Sequence, residues 1–422
     1  MAQATIHFPR GFLWGTATAA HQVEGNNVNS DNWLLEHMPG TIYVEPSGDA
    51  CDHYHHYRED IALLAELGFN LYRFSIEWAR VEPEPGEFSR ASLEHYRRML
   101  ATCREHGITP MLTFHHFTSP RWLIAAGGWA DKDTPDKFAR YCERVTRHLG
   151  DLIGAACTFN ESNLSPLLTK LGYAPPVEQL HQAPWWLAAA RALDIAPDRL
   201  APFLYTAPSK GFDIIQTAHR RAVAAIKSGP GDFPVGMTLA LADIQPGEGG
   251  DDYAAHMCKE INDVYLETLR GDDFVGVQTY SRVRFGPAGP LPPEEGVELT
   301  QMGQEFWPEA LEATIRYAAA ATGIPVIVTE NGLATTDDTR RIEYINRALR
   351  GVANCLKDGV DVRGYTYWSA LDNYEWMQGY RPTFGLIAVD RTTQQRTVKP
   401  SARWLGAVAR ANGSSIGAAD AE

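Results

Sequence analysis

Basic residues are in deficit: 38 lysines and arginines stand against 52 aspartates and glutamates, a formal charge of -14. Such a surface repels phosphate backbones and anionic lipid within about a Debye length, which argues against a nucleic-acid partner. Cysteine is sparse. Cys51, Cys103, Cys142, Cys157, Cys258 and Cys355 lie scattered with no CxxC pair, so neither a disulfide framework nor a thiolate metal site is expected. Reduced thiols in a cytoplasm fit this pattern. No apolar run approaches the roughly 20 residues that span a bilayer, and the opening MAQATIHFPRG lacks a basic segment followed by an apolar one. Neither a membrane anchor nor a signal peptide is expected. A glycine-rich phosphate cradle and a low-complexity linker are missing too.

What is present is a globular chain of 422 residues, 44% hydrophobic and 21% charged, enough apolar material for a large core. Short apolar runs alternate with longer amphipathic segments, the pattern of a parallel sheet with helical crossovers. The expected strands are Phe12–Ala17, Asn70–Ile76, Thr109–His115, Ala156–Asn160, Val235–Leu241, Phe274–Tyr280, Val326–Glu330 and Gly364–Trp368. Eight strands predict a closed (β/α)8 barrel, a single α/β domain over residues 1–410 with extended βα loops. Helices are expected at Tyr57–Leu67, Ser92–His106, Pro135–Leu149, Gly211–Lys227, Asp252–Leu269, Pro308–Ala321 and Thr339–Lys357. The stretch Gly172–Ser209 is too long for an ordinary βα loop. Its Trp185, Trp186, Phe203 and Tyr205 either wall a substrate entrance or pack a local helical hairpin. Residues 411–422, small and polar, are expected to be disordered.

Reactive side chains of such a barrel project from the carboxyl ends of its strands. The fourth expected strand runs into Asn160-Glu161 and the seventh into Glu330-Asn331-Gly332, which brings two carboxyls to one face. Hydrolysis of a glycoside needs this pair: one group protonates the leaving oxygen while the other offers electrons to the anomeric carbon. In isolation Asn-Glu-Ser reads as helix capping and Glu-Asn-Gly as a polar turn. His116, Trp368 and Trp376, taken singly, read as core residues. Joint placement on strands four and seven favours the catalytic alternative.

Five segments, FPRGFLWGTATAAHQVEG, DHYHHYREDIALLAELGFNLYRFSIEWARVEPEPGEF, TFNES, VTENGLA and YWSALDNYEWMQGYRPTFGL, resemble glycoside hydrolase family 1, the β-glucosidase family, along nearly the whole chain. The resemblance implies a retaining β-glycosidase with Glu161 as acid/base and Glu330 as nucleophile. It implies that Arg73 and Tyr280 support the nucleophile. It also implies that Gln22, His116, Asn160, Glu375 and Trp376 take sugar hydroxyls, with Trp368 as the platform beneath the ring. No cofactor and no metal are implied, and the histidines of Asp52-His53-Tyr54-His55-His56 fall on the first barrel helix.

Ser162 stands where the family normally has proline, and Gln278-Thr279 replace a common Asn-Tyr pair before Tyr280. The expected substrate is a small β-glycoside or oligosaccharide, first of all a β-glucoside. β-Galactosides, β-fucosides and transglycosylation are alternatives. Glu375 would repel a 6-phosphosugar, and the retained carboxylates argue against a silent sugar-binding protein. Oligomeric state is left open.

Overall fold

A computed structural model describes residues 8–416. Eight parallel strands close into a barrel, each paired with its chain neighbours: β1 (Leu13–Thr18), β2 (Leu71–Ser75), β3 (Thr109–His115), β4 (Ala155–Phe159), β5 (Val235–Ala240), β6 (Phe274–Gln278), β7 (Val326–Asn331) and β8 (Val362–Trp368). All eight expected strands are found, with ends shifted by a residue or two. The two-residue period of a strand sorts its side chains. In β2, Leu71 points inward beside Leu13, Met111, Ala155, Phe274 and Ile327, a plug at the barrel's amino-terminal end. Tyr72 and Phe74 point outward into the layer shared with the helices.

The surrounding helices are α1 (His53–Leu67), α2 (Arg90–Glu105), α3 (Thr134–Leu149), α4 (Pro208–Lys227), α5 (Ala310–Thr322), α6 (Asp338–Lys357) and α7 (Pro400–Arg410). α1 buries Tyr57, Asp60, Ile61, Leu64 and Leu67, one face of a 3.6-residue period, and stops at Gly68. There φ is 102°, a conformation that favours glycine, and the Gly68 N–H returns to the last turn. The single helix expected over Asp252–Leu269 is instead Asp251–Cys258, a π turn at Lys259–Asp263 and short helical turns to Leu269. The Asn163 side chain donates to the Ile261 carbonyl at 2.9 Å, inserting a foreign donor where the helical ladder is broken.

The last helix among the described residues, α7, was not among the sequence expectations, nor were two small sheets at the rim. One pairs Asp243–Pro246 with Arg282–Gly286 and Gly289–Pro290, and the other pairs Ile387–Val389 with Arg396–Val398. Disorder from residue 411 does not describe the first part of the tail. Asn412 accepts from the Trp14 indole at 3.0 Å and donates to the Phe8 carbonyl at 2.8 Å, and Ile416 is buried in the core. Residues 417–422 lie outside the described residues.

In the 172–209 stretch, helices Val177–Leu180 and Pro184–Ala192 carry Trp185 and Trp186 into a second apolar cluster with Leu34, Leu35, Ile124 and Tyr374. Phe203 stacks on Phe159 inside the main core. Local packing therefore accounts for these three, and of the four aromatics Tyr205 is the one that faces the large cavity described below. His53 lies in the first turn of α1, its ring nitrogens taken by Asp60 at 2.8 Å and Tyr72 at 3.1 Å. Among the described residues no helix is long and apolar enough to cross a membrane.

Candidate active site

Arg73 sits two positions above Leu71 on the inner face of β2 and is fully buried. A buried guanidinium requires partners on every side, and it has them. Its Nε donates to Thr113 at 3.1 Å, Nη1 to Glu330 Oε1 at 2.6 Å, and Nη2 to Asn160 Oδ1 at 2.5 Å. Thr113 is carried by β3, Asn160 follows β4 and Glu330 is the penultimate residue of β7, so one arginine ties four strands together.

Strict alternation would turn Glu330 away from this arginine. In β7, Val326 and Val328 belong to the outer layer and Ile327 to the inner plug, so position 330 should point outward. The pairing with β6 slips between Val328 and Glu330, and that with β8 slips between Val328 and Asn331. This bulge re-aims Glu330 into the barrel mouth. Tyr280, two residues past β6, donates its phenol to Glu330 Oε2 at 2.5 Å. Asn331 spans the strands on both sides, donating to the Thr279 carbonyl at 2.7 Å and accepting from Tyr365 at 2.9 Å. A Cβ on Gly332 would stand 2.0 Å from the Trp368 carbonyl oxygen, so only glycine lets β7 leave so close to β8. Glu-Asn-Gly is thus a strand end under tight steric control rather than a solvent turn.

Glu161 follows β4 with φ of 45°, an unusual value for a side-chain-bearing residue, and its N–H donates to Thr238 at 3.0 Å. Helix capping does not explain the Asn-Glu-Ser motif. The following helix, Leu164–Lys170, has no side-chain cap, and Asn163 instead donates to the carbonyls of Ala240 and Ile261. Burial raises both carboxyls, but the surroundings separate them. Arg73, Tyr280 and Gln278 favour ionised Glu330. Glu161 is pushed well above the ordinary carboxyl range by burial and then by the charge of Glu330, with the Arg73 charge opposing. Glu161 is the group that keeps its proton.

The rest of the site rises from β1, β3 and the chain after β8. Trp368 donates its indole N–H to Glu375 at 3.3 Å. Burial, followed among the charges by Glu330, holds Glu375 well above its usual range, while Trp368 and Gln22 oppose. Gln22 is anchored by donation to the Tyr374 carbonyl at 2.6 Å, leaving its buried Oε1 without a protein partner. His116 lies nearly parallel to Trp368, with centroids 5.8 Å apart, and to Trp376 at 6.3 Å. Burial and the Arg73 charge keep its imidazole neutral, and its Nδ1 has no protein partner. Trp376, at φ of 51°, stacks on His21 at 5.5 Å. Unpaired buried polar atoms beside indole planes suit a ligand with hydroxyls around an apolar ring.

All ten residues singled out from the sequence meet here. The network also contains Thr113, Thr238, Thr329 and Asn373, which sequence reasoning passed over. Of the three threonines, Thr238 is an isolated polar position in the otherwise apolar run of β5, and that was the available signal.

The family model for glycosyl hydrolase family 1 matches residues 4–272 and 278–414. The chain belongs to glycosyl hydrolase family 1. It is a β-glycosidase. Thermostable beta-glucosidase B of Thermobispora bispora is 33% identical over 98% of this chain and 92% of its own. The crystal structure of beta-glycosidase BGL167 has a TM-score of 0.94 at 59% identity, covering 96% of this chain and 97% of that one. The beta-glucosidase from Thermotoga maritima in complex with glucoimidazole has a TM-score of 0.82 at 29% identity, covering 96% and 99%. The family 1 match is interrupted along β6, immediately before Gln278.

Proposed function

We propose that this family 1 glycosidase hydrolyses terminal β-glucosides with retention, Glu330 acting as nucleophile and Glu161 as acid/base. The observation carrying this assignment is the asymmetry between the two carboxyls: Arg73 and Tyr280 grip Glu330, whereas Glu161 is left to burial and to the Glu330 charge. Glu330 attacks the anomeric carbon while Glu161 gives its proton to the departing oxygen, forming a glycosyl ester on Glu330. Esterification removes the negative charge beside Glu161, which lowers its pKa. Glu161 then takes a proton from the incoming water. Two inversions retain the β configuration.

Gln22, His116, Asn160, Glu375 and Trp376 hold the sugar hydroxyls over Trp368. A 6-phosphosugar would bring its charge beside Glu375, where burial and the Glu330 charge already oppose ionisation, and is disfavoured. For the leaving group, a cavity of about 790 Å³ is lined by none of the ten site residues, but its lining includes Ser165 and Met377, close in sequence to Glu161 and Trp376. Tyr173, Tyr205, Phe212, Tyr265 and Leu204 line it, so an apolar aglycone fits better than a second sugar. Residues 1–410 form one catalytic domain in this reading, and the six free cysteines support a cytoplasmic location.

The test compares wild type and Glu330→Gly on aryl β-glucoside, β-galactoside and β-fucoside, with octyl β-glucoside and cellobiose as aglycone probes. Wild type should prefer the glucoside and the octyl leaving group. Azide should restore turnover to the variant with an α-glycosyl azide product. Wild-type turnover in the unrescued variant would refute the nucleophile assignment, and an α-configured first product from the wild type would refute retention.

A further inference from the structure

Gln278 ends β6 with its side chain buried, and its Nε2 donates to Asn160 Oδ1 at 3.1 Å. That oxygen also accepts from Arg73 Nη2 at 2.5 Å and from Thr238 Oγ1 at 3.4 Å. Arg73 and Gln278, both donating to one atom, fix which end of the Asn160 amide is oxygen, while the single Thr238 hydroxyl proton is shared between that atom and the Phe159 carbonyl, each at 3.4 Å. The amide nitrogen must then point away from the Arg73 and Gln278 donors. Arg73 is shared with Glu330, so the orientation of Asn160 and the position of the nucleophile depend on one hydrogen-bonded unit. Asparagine at 278 would carry its amide on a stem one methylene shorter. Glutamine has the reach that this contact uses.

We propose that Gln278 is a positioning residue that locks the Asn160 amide with its nitrogen toward the sugar and couples that lock to Glu330. This rests on the nucleophile assignment above, which the azide experiment tests separately. The Gln278 amide also favours the ionised form of Glu330. Its Oε1 is buried without a protein partner, a state that lowers fold stability rather than raising it. Purpose and stability are therefore opposed at this position, and the two can be separated experimentally.

Gln278→Met keeps the length and volume of the side chain and removes both its donor and its unpaired acceptor. The expected result is a melting temperature equal to or above wild type, together with a fall of at least tenfold in kcat on an aryl β-glucoside. KM should change less than threefold. The acid limb of kcat/KM should move to higher pH. Gln278→Glu supplies a second readout that survives any folding defect in the methionine variant. When protonated, its carboxyl can donate to Asn160, and when ionised it repels both Asn160 Oδ1 and Glu330. Its kcat relative to wild type should rise as pH falls from 8 to 5. A methionine variant with kcat within twofold of wild type and an unmoved acid limb would overturn the proposal. So would a pH-independent activity ratio for the glutamate variant.

Discussion

Replacing Tyr280 with phenylalanine isolates one contact to the nucleophile. The ring keeps its edge contact with Phe384, centroids 5.9 Å apart, and only the hydroxyl is lost. That hydroxyl donates to Glu330 Oε2 at 2.5 Å, while the Arg73 contact to Oε1 at 2.6 Å survives. A hydrogen bond to a charged group contributes about 1.5–3 kcal/mol. At about 1.4 kcal/mol per pH unit, its loss corresponds to roughly one to two units. The direction follows from the charge: the phenol favours ionised Glu330, so without it the carboxylate forms only at higher pH. Tyr280 itself does not titrate in the working range, since burial and the Glu330 charge push its phenol well above 10. The acid limb of kcat/KM should therefore move up by about one to two units, and activity below it should fall about 10- to 100-fold. Activity above the limb should change less. Because Glu161 and Glu330 interact, the limb reports an apparent value for the pair, and the comparison between variants carries the information. The assay is kcat/KM on an aryl β-glucoside from pH 4 to 9. An acid limb within about 0.3 units of wild type would refute the supporting role of Tyr280.

Glu161→Gln should lose about 10²- to 10⁴-fold in rate with poor leaving groups and far less with activated aryl ones, as removal of a general acid does. The same substitution should raise the melting temperature at pH 8. The folded pKa of Glu161 lies well above 4.5, so its contribution is fully present below about pH 4.5 and is lost as pH rises through the folded value. A gain on the order of 1–3 °C at pH 8 that vanishes near pH 4 would be seen by differential scanning fluorimetry, and a gain equal at both pH values would contradict it. Trp186→Ala removes a fully buried ring whose indole donates to the Pro197 carbonyl at 2.8 Å. It should destabilise the fold by about 3–5 kcal/mol. Chemical denaturation that shows no loss would refute its placement in the second cluster.

The barrel was legible because its signals are local. Eight β-rich apolar runs, helical periodicity between them and a glycine such as Gly68 at a helix end each reflect constraints within one element. The resemblance to a known family likewise rests on contiguous motifs, and those motifs carried eight of the ten residues that the structure gathers around Glu161 and Glu330, His116 and Tyr280 lying outside them just past β3 and β6. The missed 387–398 pairing is local, whereas the missed pairing of Asp243–Pro246 with Arg282–Gly286, and the break in the 251–269 helix, depend on partners distant in sequence. So do the burial of Trp185 and Trp186 and the ordering of Asn412 against Trp14.

Amino-acid order alone determined that two glutamates end the fourth and seventh strands of an eight-stranded barrel. Alternation alone would have pointed Glu330 at the helices, and only the slip of β7 against both neighbours turns it toward Arg73. Likewise the family resemblance implied that Gln278 stands in place of an asparagine, but not what the longer side chain reaches. Bulges and hydrogen-bond partners arise when strands far apart in the chain are brought side by side, so the tertiary structure decided how the two carboxyls differ.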